Sequence, residues 1–329
     1  MVSCKKDDET ETDTPFQASS GGMYISNEGN FQSSNSSVSF FNPHNSALTE
    51  DAYKQVNQTS PGDVCQSMSI MNGSLYVVVN NSGKIEVCDL YLLNKKNTIG
   101  GLTSPRYIAQ INNSKAYVSD AYSNKISIIN LTNNTLSGTI DLNGWTEQML
   151  LLDGKVYVTN MQSEYLYVID TTSNQVNDSI LITRGANSIC KDSAGKIWVL
   201  CGGDYLLSIN GALHRIDPAT HQVEVSAGFS AGEYPTRLSI NGSGNSLYYL
   251  NTSIWKMDVS ASSLPSTPFI ASQGNNFYGL GIDKVKNEVY VSDAIDFVQK
   301  GKVYRYKADG TAIENFTAGI IPGDFLFLP

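Results

Sequence analysis

One short pattern occurs seven times along this chain: an apolar residue, an aromatic, one or more further β-formers, and in most copies a closing Ser, Thr, Asn or Asp. The copies are MYISN at Met23, LYVVVN at Leu75, AYVSD at Ala116, VYVTN at Val156, IWVLC at Ile197, LYYLN at Leu247 and VYVSD at Val289. Their aromatics, Tyr24, Tyr76, Tyr117, Tyr157, Trp198, Tyr248 and Tyr290, stand 52, 41, 40, 41, 50 and 42 residues apart. A period near 40 that contains only strand patterns is that of a β-propeller blade, since a lone sheet must stack on neighbours to bury its faces. The chain is therefore read as all-β, a seven-bladed β-propeller of four-stranded blades, despite a length of 329 residues that would otherwise suggest about two domains.

Within one period, best seen from Ser104 to Leu142, four strands A to D follow one another. Strand A runs from Arg106 to Ile111, a tight turn at Asn112-Asn113 reverses the chain, strand B holds Tyr117, strand C is KISIIN and strand D is LSGTIDL. The A-to-B turns recur at Asn72-Gly73, Asp153-Gly154, Ala194-Gly195, Gly242 to Gly244 and Lys286-Asn287, where Gly and Asn supply the positive φ of a tight hairpin. The first blade has no strand A of its own. The last residues, IPGDFLFLP, match SPGDVCQSMSI at the start of the second blade, so the C-terminal strand is expected to complete the first blade and close the ring. Strand D of that blade is placed near AYKQVNQ, and no segment shows a helical period. This gives residues 21–329 as one propeller domain, preceded by an N-terminal segment, 1–20, whose later part, from Thr10, is a flexible tether.

Charge narrows the partners. The net charge is -9, from 22 Lys and Arg against 31 Asp and Glu, and no basic stripe is present, which argues against nucleic acid. No apolar run is long enough to cross a bilayer as a helix. Cys65, Cys88, Cys190 and Cys201 match neither a zinc nor a thiol redox spacing and are read as reduced strand residues. His44, His214 and His221 have no carboxylate or cysteine partners at ligand spacing, and no nucleophile elbow, phosphate loop or cofactor motif occurs.

The chain opens SCKKDDETETDTP from Ser3. A cysteine in a charged, Thr-rich segment has neither apolar neighbours nor disulfide geometry, which leaves covalent attachment. CKKDDE resembles the processed start of a bacterial lipoprotein, and Lys plus an acidic run after the cysteine is similar to the signal that sends Bacteroidetes lipoproteins to the outer face of the outer membrane. The resemblance implies lipidation at Cys4, so that the only membrane link is the lipid anchor. The YVSD...I.VID..T..V...I rhythm, clearest at Ala116 to Ile140 and Val156 to Ile180, resembles the YVTN-type propellers often labelled surface-layer proteins. With the lipoprotein start, the chain is most similar to the BtuG-type propellers that capture cobalamin and pass it to an outer-membrane transporter. Cobalamin or another corrinoid as ligand, and that transporter as partner, are what this resemblance implies, and no short motif carries ligand contacts onto positions here.

In a four-stranded blade the D-to-A and B-to-C connections share one face. On this face the loops vary, whereas the A-to-B turns are short and alike, so the variable face is the expected binding face. Its candidate ligand residues are Arg106, Tyr107, Tyr122, Trp145, Gln148, Gln162, Tyr165, Asn187, Tyr205, Tyr234, Arg237, Phe277 and Tyr278. Aromatics supply contact area at low entropy cost while amides and charges fix orientation. Two other classes remain open. A lactonase-like hydrolase needs Asp63, Glu147, Asn187 and Asp324 to hold a divalent cation. A structural or adhesive surface-layer protein needs a flat, polar face.

Overall fold

The computed structural model describes residues 15–329, so Cys4 and the acidic run after it lie outside the described residues. Seven small antiparallel sheets follow one another, each beginning with its own strand A except the first. In the first, the C-terminal strand Pro322–Phe327 pairs with strand B, Met23–Asn27, in the register Met23 to Phe327, Tyr24 to Leu326, Ile25 to Phe325 and Ser26 to Asp324. The last strand of the chain thus completes the first blade, as the sequence predicts, and the ring is closed by backbone hydrogen bonds between its two ends.

The recurring aromatics explain why the blades stack. All seven sit on strand B and are no more than 2% exposed. In the first four blades the residue across from the aromatic on strand C is apolar: Phe40, Val87, Ile128 and Val168. There the tyrosine hydroxyl itself reaches the C-to-D turn of the next blade. Tyr24 donates to the Leu90 carbonyl (2.8 Å), Tyr76 and Tyr117 to the side-chain oxygens of Asn134 (2.7 Å) and Asn174 (2.5 Å), and Tyr157 to the Pro218 carbonyl (3.3 Å). In blades five to seven a cation takes the opposite position: Arg215 faces Trp198, Lys256 faces Tyr248 and Arg305 faces Tyr290. Each cation lies 5.4 to 5.8 Å from its ring centroid and donates to a carbonyl in the next blade, at Val259, Ala308 and Pro43 respectively. Every blade is therefore tied to its successor by the same pair of positions, through a phenol in four cases and a cation in three.

Three features depart from the sequence reading. AYKQVNQ is not strand D of the first blade: Ala52–Asn57 is a helix capped by Asp51, which accepts from the Lys54 amide at 3.3 Å, and the outer strand is Ala47–Thr49. The helix forms because Ala52 and Tyr53, both buried, seal the outer edge of the first blade. Blade six has three strands, with only an Ile254 to Ile270 bridge in place of strand D, because Pro265 and Pro268 fall where a ladder would need amide donors. The described end of the expected tether is docked: Phe16 packs edge-on against Phe40, and Ala18, 3% exposed, donates its amide to the Tyr91 carbonyl. Cys65, Cys88, Cys190 and Cys201 are free and buried.

Deleting Pro322 to Pro329 exposes the inner edge of the first blade and removes the burial of Phe325. The truncated chain is expected to lose on the order of several kcal/mol in urea unfolding, and an unchanged midpoint contradicts non-covalent closure.

Candidate functional site

The inner strands carry one irregularity in common. In every blade the A-to-B ladder slips near the end of strand A that faces the D-to-A loops: between Cys65 and Ser67, Pro105 and Ile108, Thr146 and Met149, Ala186 and Ser188, Thr236 and Ser239, Phe277 and Leu280, and opposite Ser26 and Asn27. A β-bulge leaves a residue without a ladder partner and re-aims its side chain. Here the bulged positions are Gln66, Arg106, Glu147, Asn187, Arg237, Tyr278 and Gly323, one per blade, and they form a ring at the mouth of the central channel. Arg237 sits in its bulge with φ at 61°, a left-handed conformation that costs an L-residue energy and accompanies function more often than chance.

The ring is bonded around its circumference. Arg106 grips Glu147 through two parallel hydrogen bonds, Nε to Oε2 at 2.8 Å and Nη2 to Oε1 at 2.7 Å, and also donates to Gln66. Trp145 Nε1 donates to Glu147 Oε2 at 2.7 Å, and the Arg106 guanidinium lies 5.3 Å from the Trp145 ring. Burial alone would pull the Arg106 guanidinium down; the Glu147 carboxylate more than restores it. On the other arc Asn187 donates to the Pro235 carbonyl (2.9 Å), Arg237 to the Tyr278 carbonyl (3.2 Å), and the Tyr278 hydroxyl to Glu28 (2.9 Å). Arg237 also reaches across the channel to the Tyr107 hydroxyl at 3.3 Å. Gly323 contributes no side chain, and a Cβ there would stand 2.7 Å from the Glu28 carboxylate, which occupies that place. Burial raises the Glu28 pKa, against the opposing pull of Arg237 and the Tyr278 hydrogen bond.

Above the ring stand aromatics in pairs, each with one member from a B-to-C loop. Tyr122 meets Trp145, Tyr205 meets Tyr234 and Phe297 meets Tyr278, with centroids 5.7, 6.1 and 5.5 Å apart in edge-to-face geometry. Tyr122 is 68% exposed and Tyr205 75%, beside Leu206 and Leu207, which are also exposed. The structure thus brings Arg106, Tyr107, Trp145, Arg237 and Tyr278 together at the mouth and sets Tyr122, Tyr165, Tyr205 and Tyr234 on the rim. Gln162 is exposed near them, and its carbonyl accepts from Arg184. Three candidates have structural bonds: Phe277 packs on Tyr304, the Gln148 side chain accepts from the Ile189 amide (3.1 Å), and Asn187 holds Pro235. No sequence signal marks Glu28, which belongs to a loop and enters the ring only through the missing side chain of Gly323.

The four oxygen donors of the cation-dependent alternative are spent separately. Glu147 is held by Arg106 and Trp145; Asp63 accepts from the Gln32 amide and from Asn81; Asp324 accepts from the Met68 amide; the Asn187 side-chain oxygen accepts from the Ser188 hydroxyl. Among the described residues no three His, Cys, Asp or Glu side chains are grouped to hold a metal. His214, 4% exposed, accepts from the Thr183 amide through Nε2 (3.1 Å), which places the ring proton on Nδ1, a buried atom without a partner.

Burial lowers the His214 pKa from 6.5 to about 4. The unfolded chain binds this proton more readily, so the contribution of His214 to stability is present above about pH 6.5 and is lost as pH falls towards 4, by about 3 kcal/mol at most. His214→Gln is expected to flatten the stability profile between these pH values, and a profile parallel to that of the unaltered protein contradicts the assignment.

Comparison with known proteins supplies the family and the fold. The family described as a domain of unknown function, DUF5074, matches residues 21–320. Among solved structures, a quinonprotein alcohol dehydrogenase-like protein from Bacteroides thetaiotaomicron is similar at 16% identity and a TM-score of 0.71, over 94% of this chain and 79% of that one. A protein from Lactobacillus plantarum is similar at 14% identity and 0.71, over 95% and 100%. The periplasmic gluconolactonase PpgL of Pseudomonas aeruginosa is similar at 10% identity and 0.71, over 94% and 99%. At such identities the likeness is one of fold, and propellers of one fold carry many chemistries. No curated protein matches the sequence.

Proposed function

The chain belongs to the DUF5074 family, and from the chemistry of its mouth we propose that it is a binding protein for a large, partly apolar, amide-fringed small molecule of the corrinoid class, with cobalamin as the first choice. The observation that carries this reading is the exposed aromatic rim above a ring in which Arg106 and Glu147 are already bonded to each other. Water-exposed aromatics grouped on one face mark a binding surface more often than they serve stability. A corrinoid offers a flat ring system for the rim tyrosines and a fringe of amides for Gln162, the Tyr278 hydroxyl and the loop carbonyls. With Arg106 and Glu147 already paired, the mouth favours a ligand without strong charge. Struts between blades hold the loop anchors fixed, so little ordering entropy is lost on binding. The lipoprotein-like start at Cys4 fits a protein tethered at the outer-membrane surface that hands its ligand to a transporter.

Calorimetric or absorbance titration with cyanocobalamin tests this directly. Tyr205→Ala and Tyr234→Ala are each expected to weaken binding by about 1 to 4 kcal/mol, whereas changing Asn112 and Asn113 on the opposite face leaves it unaltered. No heat and no spectral change at micromolar concentrations contradicts the proposal.

Anchoring has its own test. The full-length precursor is expected to incorporate labelled palmitate and fractionate with the outer membrane, and Cys4→Ala to do neither. An unlabelled precursor removes the lipoprotein part of the proposal and leaves the binding part standing.

A further inference from the structure

The channel has a second chamber. A cavity of about 820 Å³ is lined by the inner strands of blades six, seven, one and two, with Gln148 from blade four, and by the A-to-B turn of blade seven, on the face opposite the aromatic rim. Ile70, Ile282 and Leu326 contribute apolar wall, and Lys284, Val285 and Lys286 form part of the lip. All three lip residues are exposed, Val285 to 90%, although a valine at the tip of a hairpin turn has no packing reason to be there. Arg237 lines this cavity too, and because it stands in the bulge ring it marks the inner end.

Arg237 is the least satisfied cation of the ring. A guanidinium has five N–H donors. Here one donates to the Tyr278 carbonyl and one to the Tyr107 hydroxyl, both uncharged, while the Glu28 carboxylate is 4.0 Å away, beyond hydrogen-bond reach. Arg106, by contrast, has a bidentate carboxylate. The acids nearest the chamber do not substitute for one. Asp283 is occupied by the Val285 and Lys286 amides, at 2.8 and 3.1 Å. Asp324 accepts from the Met68 amide, and burial raises its pKa against the pull of Arg237.

We propose that this chamber binds an organic carboxylate with an apolar body, the head group forked on Arg237 and the body lying along Ile70, Ile282 and Leu326. A carboxylate is the planar, two-oxygen group that matches the free side of a guanidinium. The apolar walls supply the hydrophobic part of the affinity, and the two lysines on the lip attract the anion during entry. The volume falls in the range of small-molecule sites. The chamber is separate from the rim that takes the larger ligand, so occupancy of one does not require occupancy of the other.

Octanoate, octanol and octylamine titrated into the full chain, followed by calorimetry, isolate the head group. Octanoate is expected to bind at least tenfold more tightly than octanol, and octylamine more weakly than either. Arg237→Gln is expected to remove the preference of octanoate over octanol. Lys286→Glu, on an exposed turn where folding is not at risk, weakens octanoate about threefold and leaves octanol unchanged. Tyr205→Ala, on the other face, leaves octanoate binding intact, which separates this site from the corrinoid reading. Equal affinity for octanoate and octanol, no binding of octanoate at low-millimolar concentration, or loss of octanoate binding in Tyr205→Ala overturns the proposal.

Discussion

Each blade is held to the next by a hydrogen bond reaching into the neighbouring C-to-D turn, and the rest of the molecule depends on that strut. It starts from the strand-B aromatic or from the cation opposite it, and its acceptor is a backbone carbonyl in five cases and an asparagine side chain in two. The last strut, from Arg305 to Pro43, spans the junction of the seventh blade with the first. It works beside the pairing of Pro322–Phe327 with Met23–Asn27, so the seam is crossed by both a ladder and a side chain. Buried aromatic area gives the stacking its magnitude, and the strut gives it a direction and a register.

A ring held in register can carry a precise mouth. Seven bulges at one level turn seven side-chain positions towards the channel, and the chain fills them with an amide, two arginines, a glutamate, an asparagine, a tyrosine and a glycine. Their bonds run from blade to blade, so the mouth is braced by the same stacking that it decorates. The bracing differs around the circle: the Arg106 and Glu147 arc is charge-matched, whereas Arg237 is held by neutral acceptors and a more distant carboxylate. That asymmetry separates a rim suited to a neutral ligand from a chamber behind it suited to an anionic one.

Much of this was legible in the sequence. The aromatic period gave the blade count, and the likeness of IPGDFLFLP to the opening of the second blade gave the closure. The bonded pair Arg106 and Glu147 was open to reading as well, since the two residues are 41 apart, one period, and opposite in charge. Other features left little trace. The helix Ala52–Asn57 is too short for a periodic signal, and only Asp51 before a run of helix-compatible residues announced it. The substitution of a cation for a tyrosine hydroxyl as strut was written in Arg215, Lys256 and Arg305, but it becomes meaningful only when the cross-strand register is known. Glu28 could not be placed at all, because its role depends on Gly323, at the far end of the chain, leaving a space beside it.

Which face of the ring takes the ligand is read most directly by hydrogen–deuterium exchange with and without cyanocobalamin. Slower exchange is expected in the loops 203–211 and 230–235, which carry Tyr205 and Tyr234, with the A-to-B turns at Asn72-Gly73, Asn112-Asn113 and Asp153-Gly154 unchanged. Protection confined to those turns, or no protection anywhere in the ring, contradicts binding at the rim.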